Sequence, residues 1–123
     1  SNVPIIHHAV GVANAVKDYG WKYEVVALLH DAFEEDYIVE EDFDKLDVFG
    51  DDVKTAVRTI TIAKGDDYYK DYLPKVFGNE IARVVKLADS KNNYDRLDNL
   101  DDAETVARLK KKYENVFKMA EGL

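Results

Sequence analysis

The chain has 123 residues, of which 46% are hydrophobic and 11% aromatic, and its 25 Asp and Glu against 17 Lys and Arg give a net charge of −8. That length fits one domain, the apolar fraction excludes a disordered chain, and no run approaches the roughly 18 consecutive apolar residues of a membrane span. The acidic balance argues against nucleic acid or an anionic membrane as partner. With no cysteine, disulfides, thiolate nucleophiles and Cys-type zinc sites are excluded, which leaves His, Asp and Glu to ligate any metal. A cytoplasmic location is the expectation. Ser1-Asn2 carries no signal-peptide pattern and reads as a trimmed or tagged end of a domain spanning residues 1–123.

Helical spacing dominates and strand-like alternation is nearly absent, so the expected fold is all-α, with about six helices. After Pro4, His8 to about Tyr19 carries Val12, Ala13 and Val16 at helical spacing and stops at Gly20. Trp21, Val25, Leu28, Leu29 and Ala32 predict a second, central helix, widened by Val26 and Phe33. Glu35 to Asp47 reads as an acidic loop with a short helix, closed by Gly50. Asp51 or Asp52 should cap a helix running to about Ile62. Lys64 to Asp67 reads as a turn, followed by a tyrosine-rich helix to Phe77 and a break at Gly78-Asn79. Ile81, Val84, Val85 and Ala88 predict an apolar stripe on a helix from Glu80 to about Asn92, and Val106, Leu109, Tyr113, Val116 and Phe117 predict a last helix from Asp102 to Ala120.

The polar residues inside this pattern carry the functional reading. His30-Asp31 interrupts the apolar run from Val25 to Phe33, where a polar pair is costly unless something neutralises it, and a metal ion is one such partner. Glu34 shares the face of His30 one turn later, where a base beside a metal would stand. Lys86, Asp89 and Asn93 align on one edge of their helix, and His8 aligns with Val12. Taken singly, these residues read as a solvated His-Asp pair, a boundary Lys-Asp pair and a helix-start histidine. Taken together, His8, His30, Asp31 and Asp89 form a mixed imidazole and carboxylate set on three helices.

His8-Ala9-Val10-Gly11, Leu29-His30-Asp31-Ala32-Phe33-Glu34-Glu35 and Lys86-Leu87-Ala88-Asp89 resemble, in order and spacing, the three metal-binding blocks of HD-domain phosphohydrolases. The nearest likeness is to the (p)ppGpp 3′-pyrophosphohydrolase domains of RelA/SpoT-type proteins and their small stand-alone relatives, covering Pro4 to about Leu97. The approach Pro4-Ile5-Ile6-His7-His8 makes His8, rather than His7, the implied ligand. The resemblance implies an HD-type helical bundle, a single Mn²⁺, with Fe²⁺, Co²⁺ or Zn²⁺ as alternatives, on His8, His30, Asp31 and Asp89, and water activation by Glu34 and Glu35. It also places Lys64, Tyr68, Lys86 and Asn93 beside a nucleotide substrate, with Arg58 flanking them and with Lys70 and Lys91 read as solvated. Three departures stand out: the sequence starts after the helix that the family usually carries before the Pro4 segment, so the expectation is either a trimmed end or a different substrate recognition; Ala9 replaces a common Pro; and Glu34-Glu35 replaces a Glu-Asp pair.

The expected activity is hydrolysis of a phosphoester or pyrophosphate in a small nucleotide, (p)ppGpp among the candidates. The rival expectations are an HD-type hydrolase of another nucleotide and a non-catalytic regulatory module that binds metal or nucleotide.

Overall fold

The computed structural model describes residues 3–34, 40–62 and 65–122, giving the backbone alone for residues 3–9, 31, 34 and 40, and every regular element among them is helical. The fold is all-α. In chain order it comprises α1 (Val3–Val16) with a 3₁₀ turn (Lys17–Tyr19), α2 (Trp21–Glu34), a 3₁₀ helix (Glu40–Phe49), α3 (Asp51–Ile60), a π-helical turn (Tyr68–Tyr72) running into α4 (Leu73–Phe77), α5 (Glu80–Asp95), a second 3₁₀ turn (Leu97–Asn99) and α6 (Ala103–Glu121). No helix among the described residues is long and apolar enough to cross a membrane.

Helix α1 packs on both α2 and α5, and α5 also meets α2, α3, α4 and α6, which makes it the hub. Val12 and Val16 bury from α1 as the spacing requires. A Cβ added to Gly11 would stand 2.8 Å from Asn92 Nδ2, so a glycine lets α1 approach α5 closely. In α3, Val53, Ala56, Val57 and Ile60 repeat at i, i+3, i+4 and i+7 and are fully covered.

Two apolar stripes lie elsewhere than their periodicity predicts. In α2 the covered residues are Val26, Ala27, His30 and Phe33, while Trp21 and Leu28, on the opposite face, are 54% and 44% exposed. This helix is apolar on most sides, so periodicity alone does not choose its inner face. In α5 the covered residues are Ala82, Val85, Lys86, Asp89 and Ser90, and Ile81, Val84 and Ala88 fall on the half-buried shoulder. The edge expected to carry boundary polar groups therefore faces the interior.

Local chemistry sets the helix ends. Gly50, not Asp51 or Asp52, takes the N-cap position of α3 at φ 98°, a conformation that favours glycine. Asp51 and Asp52 fall in the first turn, and Asp52 turns to Lys22 of α2. Asn79 caps α5 by accepting from the Ala82 N–H at 2.9 Å, and Asp102 caps α6 by accepting from the Glu104 and Thr105 amides. The tyrosine-rich segment opens as a π turn, in which the Asp67 carbonyl accepts from both the Asp71 and Tyr72 amides. Pro74 follows immediately, and its missing N–H and bulky ring disfavour a regular α-helical turn there. The Tyr72 hydroxyl donates to the Ile60 carbonyl at the end of α3. Phe33 stacks on Phe43 at 4.2 Å, fastening the 3₁₀ helix to α2.

Candidate functional site

The central contact joins α2 to α5. His30 is 1% exposed, and its Nε2 lies 3.6 Å from Oδ1 of Asp89, itself 7% exposed. The His30 Nδ1–H donates to the Ala27 carbonyl one turn back, at 2.8 Å, which leaves Nε2 as the nitrogen turned to the carboxylate. In a neutral ring that nitrogen carries a lone pair, and a lone pair facing a carboxylate oxygen is unfavourable. The arrangement becomes favourable when the ring is protonated or when a cation stands between the two groups. Two ligands held about 2.1 Å from one ion at tetrahedral or octahedral angles are about 3.0–3.5 Å apart, close to the separation seen.

Lys86, one turn before Asp89, places Nζ 3.8 Å from the other carboxylate oxygen, Oδ2. Its ammonium also lies 5.3 Å from the Tyr68 ring centre and 5.2 Å from that of Tyr72, within cation–π range. Lys86 is thus an interior residue, 8% exposed, whose charge is met by Asp89 and two aromatic rings. Next to Asp89, the hydroxyl of Ser90 is fully buried with no hydrogen-bond partner among the described residues.

The other expected site residues divide between those placed and those outside the description. Asn93 is half-buried one turn past Asp89. Tyr68 is half-buried in the π turn. The side chains of His8, Asp31 and Glu34 lie outside the described set, although their backbones belong to α1 and α2, and Glu35 and Lys64 lie outside the described residues altogether. Among the described residues no group of three or more His, Asp or Glu side chains could hold an ion, so the described part of the expected ligand set is the His30–Asp89 pair.

Three flanking expectations receive definite places. Arg58 lies over the Phe43 ring at 4.5 Å. Lys91 is exposed and pairs with Asp95 at 3.2 Å, and Lys70 is also exposed. Thr59 and Thr61 turn their hydroxyls back to the Thr55 and Val57 carbonyls, at 2.7 and 2.8 Å.

Sequence reasoning missed Tyr72 as a partner of Lys86, because the π turn that aims it is not an apolar-periodicity feature. It also missed a basic groove between the π turn and α6, for which the run Lys110-Lys111-Lys112 after Tyr68-Tyr69 was an available signal. No protein-family model and no curated protein matches the chain.

Proposed function

We propose that this chain is a metal-dependent phosphohydrolase cleaving a phosphoester or pyrophosphate bond of a nucleotide, with a (p)ppGpp-type 3′-pyrophosphate as the first substrate to test. The observation that carries this reading is the buried approach of His30 Nε2 to Asp89 Oδ1, 3.6 Å across two helices, between residues singled out as ligands far apart in the chain.

In this reading His8 and Asp31 complete the ligand set, and mixed imidazole and carboxylate donors suit Mn²⁺, Fe²⁺, Co²⁺ or Zn²⁺. A bound divalent ion would supply Lewis acidity toward a phosphoryl oxygen and a more acidic water. Glu34 and Glu35 take the proton from the attacking water, Lys86 holds the Asp89 carboxylate in place, and Lys64, Asn93 and Tyr68 position the nucleotide.

The test is metal content and phosphate release measured on one preparation, with Mn²⁺ and a panel of nucleotides that includes ppGpp. Asp89→Asn should lose both metal and turnover. Glu34→Gln should keep the metal and lose roughly 10²–10⁴-fold in kcat. Metal retained without turnover on any nucleotide would replace hydrolysis with a regulatory binding role, and a protein that takes up no divalent ion would overturn the reading.

A further inference from the structure

Where the π turn meets α6, a groove of about 490 Å³ is lined by Tyr68, Tyr69, Arg108, Lys111, Lys112 and Asn115. On a chain of net charge −8, these lining residues include three cations and no carboxylate. Among the described residues neither Arg108 nor Lys111 lies within ion-pair distance of a carboxylate, although the Arg108 charge is felt by Asp102 at the start of α6. Like charges gathered in a concavity repel one another, and an anion bound there would relieve that repulsion.

The spacing indicates which anion. Arg108, Lys111 and Lys112 stand at i, i+3 and i+4, so their side chains rise from one turn of α6 with neighbouring Cβ atoms about 5–6 Å apart. Long Lys and Arg side chains can converge on one phosphate, but a single phosphate would leave most of the groove of about 490 Å³ unfilled, whereas two linked phosphoryl groups fill more of it and divide the three cations between them. Arg108 brings a planar fork suited to two oxygens of one phosphoryl group, and the lysines bring point charges for the other. Asn115 adds an amide donor. Tyr68 and Tyr69 form the wall, their rings edge to face at 5.2 Å, and Tyr69 is 39% exposed. The Lys112 ammonium lies 4.6 Å from the Tyr68 ring centre. The same ring receives Lys86, so one residue borders both the groove and the buried His30–Asp89 cluster.

We infer that this groove is a binding site for a diphosphate group, either free or carried on a nucleotide. The site shares Tyr68 with the surroundings of the buried cluster, but its cations come from α6 and it needs no metal ion.

Calorimetric titration of the full chain in a metal-chelating buffer, with orthophosphate, pyrophosphate and a nucleoside diphosphate, tests this apart from any hydrolysis. Pyrophosphate should bind more tightly than orthophosphate and should weaken as salt is raised. The exposed pair R108Q/K111Q should lose roughly tenfold or more of that affinity, through two charge-assisted contacts, with its thermal unfolding unchanged. The control K75Q/K91Q removes the same charge from lysines that pair with Asp66 and Asp95, and should bind as wild type. Equal affinity for pyrophosphate and nucleoside diphosphate would identify the free diphosphate as ligand. Tighter nucleotide binding that is lost in Tyr69→Ser would identify a nucleotide whose base lies on that ring. No binding of pyrophosphate at millimolar concentration, or equal losses in the two double variants, would overturn the site.

Discussion

Between α3 and α4 the interior is hydrocarbon: Val53, Val57, Ile60, Leu73 and Val76 are fully covered, and the Tyr72 hydroxyl beside them is satisfied by the Ile60 carbonyl. Between α2 and α5 the interior holds His30, Lys86, Asp89 and Ser90, His30 and Ser90 as hidden from water as the hydrocarbon region and Lys86 and Asp89 nearly so. The first region needs only volume and shape, since burial of apolar area stabilises whichever side chains fill it. The second sets charge desolvation against attraction, and apolar residues of similar volume would serve stability as well or better. A domain under selection for stability alone has no use for the second arrangement, so the polar region is where a function should be sought.

The comparison breaks most visibly at Asp89. Asp89→Ala removes the carboxylate that both His30 and Lys86 approach, leaving the Lys86 ammonium with the Tyr68 and Tyr72 rings, and should cost about 3–5 kcal/mol in urea unfolding followed by far-UV circular dichroism. In the apolar region Leu73→Ala should cost about 2–5 kcal/mol through the cavity it leaves. A loss well under 1 kcal/mol there would show that α4 collapses freely and that the two regions differ less than their burial indicates.

Replacing the whole polar cluster sharpens the contrast further. The triple variant His30→Leu, Lys86→Met, Asp89→Leu should be as stable as wild type, or more stable by about 1–4 kcal/mol, while losing any metal uptake and hydrolysis. Pronounced destabilisation by the triple variant would make the cluster a structural necessity.

The smallest effect is expected at the surface, where Lys22 donates to Asp52 and, as the leading cause, holds that carboxyl below its ordinary value. A lowered folded value means that the contribution of Asp52 to stability is complete above the usual carboxylate range and is lost as pH falls through the folded value. Asp52→Asn should therefore slightly flatten the acid limb of a stability profile. The difference should vanish in molar salt, because the pair is exposed.

Helix content and most breaks were legible in the chain because they follow from strong local signals: Val12 with Val16, the punctuation at Gly20, Gly50 and Gly78-Asn79, and the start of the last helix near Asp102, whereas the capping roles of Asn79 and Asp102 were missed. Rotation of the helices was less legible. In α2, Trp21 and Leu28 are as apolar as Val26 and Ala27, so what turns Val26 and Ala27 inward is tertiary: Asp89 of α5 accommodates His30 on that side. In α5 the run Ile81, Val84 and Ala88 looked like the inner face, yet Lys86 and Asp89 lie deeper because each meets the other's charge. The pairing of His30 with Asp89 was legible only through the joint pattern of residues 59 positions apart, since each alone has an ordinary structural reading. The Lys110 to Lys112 run announced the cations of the basic groove, but their meeting with Tyr68 and Tyr69, like the aim of Tyr72, depends on a π turn and on how α6 lies across it, which no single window of sequence encodes.

The position of Trp21 has a practical consequence for spectroscopy. It is the chain's single tryptophan, half outside the domain, with Phe49 at 6.4 Å and the Lys22 ammonium 5.8 Å from its ring. Its emission reports on the corner where α2 begins and the 3₁₀ helix ends, and it should already be red-shifted in the native protein. Loosening of that corner would change the signal while α3, α4 and α5 remain packed. A tryptophan-fluorescence melt would therefore record the release of Phe49, and the collapse of the interior would pass with little change in colour.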